Sequence, residues 1–230
     1  MAEKEVAAKW ERARKPDQIE ARRKEILSSA AKLLDDGGVE STGLSAIARA
    51  AGLSKANLYR YFESREAILM TIFLEELTDW VSAMTKMLDV IEPRGDVAAV
   101  AQAFADSLEG RERYCDLMSA LASVLERNLT VETIAQQKTD LRNSYISLIP
   151  PLRRALPQFS NAQANEFLIM QALFQMGLWP HTNPSPEVNE VLDREEFADL
   201  RMHFGERVRW HALLLLRGLE TVESPRIRPE

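Results

Sequence analysis

The stretch GLSKANLYRYFESREAIL, residues 52–69, sets Lys55, Asn57, Tyr59 and Arg60 among apolar residues at helical spacing. If Leu58 and Phe62, four residues apart, face a core, then Lys55, Ala56, Tyr59 and Arg60 face outward, with Asn57 near the exposed helix start. These side chains suit DNA. Asparagine can make two hydrogen bonds to adenine and arginine two to guanine, while serine, lysine and tyrosine can hold phosphate oxygens. Thr42 on one side and Ser64-Arg65 on the other are placed to clamp phosphates, and Tyr61 is expected to reach a phosphate with its hydroxyl. The amide donors at a helix start favour the same anionic backbone.

Three helices must position that surface. Ile19, Ile26, Leu27, Ala30, Leu33 and Leu34 recur near a 3.6-residue period, which predicts an amphipathic helix over 17–36, started by Pro16 and stopped by Gly37-Gly38. A short second helix carrying Leu44, Ile47, Ala48 and Ala51 is expected to be capped by Ser41 or Thr42 and closed by Gly52. Ser54 caps the third, which runs to about Phe62. The result is a helix-turn-helix.

Residues 17–70, above all STGLSAIARAAGLSKANLYRYFESREAIL, resemble the N-terminal domain of the TetR family of bacterial transcriptional regulators. The resemblance implies that the third helix enters the major groove, with Lys55, Asn57, Tyr59 and Tyr61 as DNA contacts and Thr42 and Arg65 as backbone clamps. Asn57 and Arg60 sit where the family varies, and Ala56 stands where glycine is frequent. The operator sequence therefore stays open.

Charge is divided unevenly along the 230 residues, whose net charge is -6. Residues 1–65 hold 13 Lys/Arg against 10 Asp/Glu, whereas residues 66–230 hold 16 against 25. A basic module on an acidic body suits a protein that meets phosphate with one end. The charged N-terminus contains no signal-peptide run, and the longest aliphatic run, Ala212 to Leu216, is far below the roughly 20 residues of a membrane span. A cytoplasmic protein without membrane contact is expected. The single cysteine, Cys115, makes no internal disulfide, and no Cys/His cluster has zinc spacing, so neither metal nor cofactor is expected. His203, Glu206 and His211 have poor spacing for a metal, and Cys115 reads as a buried, inert thiol.

Beyond Ser64 the helical pattern continues to about Val90, then over 96–109, 112–127, 131–149, 161–178 and 204–219. Pro150-Pro151 is expected to end one helix, WPHTNPSPE (179–187) reads as a loop, and a short helical piece lies near 187–202. The fold class is all-α: a charged arm at 1–16, a three-helix reading domain at 17–65, and a larger helical domain at 66–230.

Phe73, Trp80, Met84, Phe104, Tyr114, Met118, Tyr145, Met170 and Phe174 recur along these helices. Each alone reads as core; together they could wall an apolar cavity, a possibility that the family resemblance raises, with Arg113, Gln136, Arg142, Asn143 or Gln171 orienting a ligand. The helices 161–178 and 204–219 are apolar on more than one face, through Phe167, Met176, Val208, Trp210 and Leu215 among others. Burial within the monomer and cover by a second copy both satisfy that pattern. The resemblance implies a two-fold dimer with these helices in a four-helix bundle, hence a palindromic operator on double-stranded DNA.

These expectations converge on a dimeric repressor released from its operator by a small, largely apolar effector. An alternative is a DNA-binding regulator without such a ligand, whose larger domain recruits a protein partner. An enzyme with an appended helix-turn-helix finds no support, since no nucleophile elbow, phosphate loop or metal motif is present.

Overall fold

The computed structural model describes residues 16–221, and every regular element within them is helical. Residues 1–15 of the charged arm, where Lys9, Arg12, Arg14 and Lys15 read as further phosphate contacts, lie outside the described residues.

Helix α1 (Pro16–Ser41) buries Ile26, Leu27, Ala30 and Leu34, the face that the periodicity predicts. Its regular course breaks at Gly38, where φ is 71°. Helix α2 spans Leu44–Ala50, and its N-cap is Gly43 rather than Ser41 or Thr42. The reason lies in Thr42, whose hydroxyl donates back to the Gly38 carbonyl (2.8 Å) and holds the turn closed. Gly52, at φ 64°, makes the turn into α3 (Lys55–Leu58), where a residue with a β-carbon would be strained. Ser54 caps α3, accepting from the Asn57 amide at 3.2 Å. The α-helix is shorter than expected, but Arg60 and Tyr61 donate three residues back and Phe62 four, so the helical course reaches Phe62.

Ser64 caps α4 (Arg65–Asp89), accepting from the Ala67 amide, and this long helix is the spine of the molecule. Around it pack α1, α5 (Val97–Asp106), α6 (Glu112–Ser119), α7 (Val131–Ile146) and α8 (Ile149–Ala155). Helix α9 (Asn161–Thr182) crosses α6, α7 and α8, and α11 (Phe204–Leu219) lies against α5 and α9. Between α9 and α11 come α10 (Pro186–Leu192) and a 3-10 turn (Glu195–Leu200), which pack on each other and bury none of their side chains.

Three boundaries differ from expectation. The helix foreseen at 112–127 splits into α6 and a π-helical turn, Leu121–Leu125. Pro150-Pro151 opens α8 instead of ending α7, because a proline in the first turn forfeits only an amide that has no helical partner there. Helix α9 runs through Pro180 to Thr182, since so near its end the missing amide costs the helix a single bond.

Candidate nucleic-acid interface and interior cavity

Leu58 is fully buried and Phe62 nearly so, which fixes the rotation of the third helix. Ser54, Lys55, Asn57, Tyr59 and Arg60 consequently face solvent, Tyr59 with 55% of its surface exposed. No side chain of these five except the capping Ser54 has a protein partner among the described residues. Tyr61 is half-buried against the core, as a residue on the edge of the apolar face must be.

The flanking residues behave differently. Arg65 turns inward, donating through Nε to the Thr42 carbonyl (2.6 Å) and through Nη2 to the Val39 carbonyl, with Glu66 beside it. Thr42 is fully buried. The expectation that these two side chains present themselves to phosphate is corrected: Arg65 donates to the Thr42 carbonyl and is a second donor to the Val39 carbonyl, which also accepts from the Thr42 amide (3.3 Å), so Arg65 ties the α1–α2 turn to α4. Arg23 does similar work, donating to the Tyr61 carbonyl with its guanidinium 4.1 Å from the Phe62 ring centre. Arg23 thus holds the end of the third helix from behind, and Arg65 holds the turn before α2.

In the larger domain, most of the aromatic residues expected around a cavity are core. Phe73 stacks on Tyr114 (5.8 Å between centroids), Tyr114 on Trp80 (5.6 Å), Trp80 meets Phe104 edge-on, and Phe104 meets Phe167 at 4.9 Å. Trp80 also donates through Nε1 to the Ser107 hydroxyl (3.0 Å). Met84 and Met118 are fully buried with them. Aromatic rings adjacent in sequence pattern fill one another's space before they line a void. Burial pushes the Tyr114 phenol well above its usual range, the neighbouring Tyr145 phenol adding to the shift, so both stay neutral. Cys115 is also buried, which pushes its thiol up to about 12 and keeps it inert.

A cavity of about 640 Å³ does exist, one shell further out. Phe73 of α4 and Leu121 of the π-turn form its floor; α7 contributes Lys138, Leu141, Arg142, Tyr145 and Ile146. The facing wall is α9, with Asn165, Ile169, Ala172, Leu173 and Met176. Of the nine residues expected around a ligand, only Phe73 and Tyr145 line it. Phe174 instead stacks on the His211 ring at 3.8 Å, and Met170 is 42% exposed on the outer face of α9. Arg142, one of the polar candidates, is at the cavity, while Arg113 and Gln171 are not.

Arg113 has a different setting. From α6 its Nε donates to Glu76 of α4 (2.7 Å) and its Nη1 to both oxygens of Asp35 of α1 (3.0 and 3.1 Å). On the next turn Asp116 accepts from the Trp179 indole of α9 (2.6 Å). Helix α6 is therefore fastened to α1 and α4 through one turn and to α9 through the next.

Phe167 and Val208, expected at a subunit interface, are fully buried within the single chain, which corrects that expectation: their apolar surface is already covered by α5, α9 and α11. The uncovered apolar side chains of α9 and α11 are Ile169, Met170, Leu173, Trp210 and Leu214. Met176 faces the cavity, and Leu215 is half-buried. His211 Nδ1 meets Gln171 Oε1 at 2.7 Å, and Gln171 donates to the Val208 carbonyl, which locks α9 to α11.

Two successive segments of the chain match known protein families. Residues 26–72 match the family model of bacterial regulatory proteins, tetR family, and residues 74–223 match that of the tetracyclin repressor-like C-terminal domain. An uncharacterized HTH-type transcriptional regulator of Mycobacterium tuberculosis is 43% identical over 84 residues, 34% of this chain and 41% of that protein. The chain thus spans about two fifths of the first curated relatives that it matches. The fatty acid metabolism regulator protein of Bacillus subtilis is 28% identical over 171 residues, 74% of this chain and 72% of that protein. Among solved structures, the TetR family regulator PfmR of Thermus thermophilus superposes with a TM-score of 0.53 at 26% identity, covering 84% of this chain and 97% of that one. With a reading module and a larger helical domain that both match, the chain belongs to the TetR family of DNA-binding transcriptional regulators.

Proposed function

We propose that the protein is a dimeric repressor that reads a palindromic operator with Lys55, Asn57, Tyr59 and Arg60 and is released by a small, largely apolar effector. One observation carries the DNA part: four polar or aromatic side chains of one short helical segment stand in solvent without partners among the described residues, on a helix anchored from behind by Leu58, Phe62 and Arg23. Preorganised, unpaired donors suit base edges and phosphates. Thr42 and Arg65 serve this surface by fixing its geometry.

The exposed Met170 on α9 and Trp210 and Leu214 on α11 support a second copy as their cover. A two-fold pair would set two reading helices about 34–36 Å apart, one turn of DNA. The effector is assigned to the cavity among α4, α7 and α9, whose size falls in the roughly 300–1,000 Å³ range of small-molecule sites. The fatty acid regulator among its relatives is consistent with an apolar ligand.

Coupling has a physical route. A ligand on Phe73 and Leu121 presses on the Tyr114 stack and on the π-turn that continues α6. Helix α6 carries Arg113 and, through it, the first helix of the reading module. Ligand and DNA then weaken each other reciprocally, by the few kcal/mol that coupled sites typically share.

Hydroxyl-radical footprinting combined with sedimentation on a genomic operator tests this reading. Two chains per duplex protecting two half-sites one helical turn apart are expected; one chain on a single patch would contradict it.

A further inference from the structure

We infer that the cavity selects an anionic amphiphile, with an apolar body between Phe73, Leu141 and Ile169 and an acid group held at the rim by Arg142 and Lys138. The inference rests on the assignment of the effector to this cavity.

Its ground is a reversal of charge. Residues 66–230 carry 25 Asp/Glu against 16 Lys/Arg, yet the cavity is lined by two cations and no carboxylate. Lys138 and Arg142 lie four residues apart on α7, so they sit one above the other on the same face. Lys138 is bonded to Glu126, outside the cavity lining. Arg142 makes no ion pair and no side-chain hydrogen bond among the described residues, although it is an always-charged group with a planar fork of donors. The nearby carboxylate of Asp140 is occupied by Gln136 (2.9 Å) along the same helix. Opposite, Asn165 of α9 adds an amide donor, and Tyr145 a hydroxyl. Arg142 is exposed at the rim, so solvent meets its donors when the cavity is empty, and the single oxygen of a neutral hydroxyl could answer only part of its fork. A cationic ligand would meet two like charges and only the oxygens of Asn165 and Tyr145. An acid group instead answers the free fork bidentately, while its body covers Leu141, Ile169 and Leu173, apolar surface that now faces an open void.

The acid can be carried as a carboxylate or as a phosphate ester, and the test separates the two. Calorimetric titrations of the full chain would use decanoate, decyl phosphate, decanol and decyltrimethylammonium, all with the same apolar body. The expected result is that at least one of the two anions binds about tenfold or more tightly than decanol, with the cation weakest. Arg142→Gln should remove that advantage while leaving decanol binding unchanged, and added salt should shrink it. Tighter binding by one anion identifies the headgroup. Equal binding of decanol and both anions, unaffected by Arg142→Gln, would overturn the anionic selection and leave the cavity assignment standing. Ala172→Phe, which narrows the cavity from α9, should weaken every probe, and binding of all of them unchanged by it would place the site elsewhere and overturn both. Absence of binding by all four probes would overturn the inference as stated.

Discussion

The reading module and the larger domain handle their polar and aromatic residues in opposite ways. In the module the side chains proposed to meet DNA, Lys55, Asn57, Tyr59 and Arg60, stand outside, and the inward-turned Arg23 and Arg65 hold backbone carbonyls. In the larger domain Phe73, Tyr114, Trp80, Phe104 and Phe167 pack on one another, and the space proposed for a ligand is a void at the edge of that column. A surface that meets a rigid duplex needs fixed donors in solvent. A site for a small molecule needs uncovered apolar walls with few polar groups. The difference shows where a substitution should be felt: at the DNA surface through lost contacts, in the domain through geometry passed along α6.

The sharpest separation comes from removing the contacts alone. Asn57→Ala combined with Tyr59→Ala should lower operator affinity by about fivefold or more, since the two-bond base contact open to Asn57 alone contributes roughly 1–3 kcal/mol, with the melting temperature little changed. Competition binding against non-operator DNA checks that the loss is one of specificity. A smaller, different effect is expected at the junction of the two regions. Arg113→Ala should leave operator affinity within about threefold of the parent protein while most of the effector's influence on it disappears, because the clamp to Asp35 and Glu76 transmits rather than binds. Operator titrations with and without effector measure both quantities; unchanged release would remove α6 from the route.

The smallest effect concerns α9 and α11. Burial lowers the pKa of His211, which lies flat on Phe174. The unfolded chain therefore takes up a proton more readily than the folded one, so the stability contributed by neutral His211 is present above the ordinary histidine range and fades as pH falls below it. Thermal melts between pH 8 and pH 5 should show a decline that His211→Phe diminishes.

These regions also differed in how much of them could be read from sequence. Gly52, Ser54, Leu58 and Phe62 lie within eleven consecutive residues, and helical period alone orients everything between them. The caps at Ser54 and Ser64 and the turn at Gly52 appear as expected. Arg65 and Thr42 were legible as polar residues near the surface but not as the brace that they form, because their partners are backbone carbonyls, which sequence does not distinguish. The cavity draws on α4, the π-turn, α7 and α9, elements up to a hundred residues apart. Periodicity places an aromatic ring on an inner face without revealing whether a neighbouring ring has filled the space, so Trp80 and Phe104 looked no different from Tyr145. The one signal available was Leu141 and Tyr145 flanked by Lys138 and Arg142 at the same spacing, an apolar stripe with a cationic edge.

The surface from Lys55 to Arg60 is proposed to read a particular DNA sequence. The most direct test is to select genomic fragments with the purified protein at about 150 mM salt and to sequence those retained, since specific and non-specific binding separate well there. One or a few palindromic sites, lost with the Asn57→Ala and Tyr59→Ala double variant, are predicted. Retention of fragments that share no sequence, or retention unaffected by those substitutions, would contradict the claim.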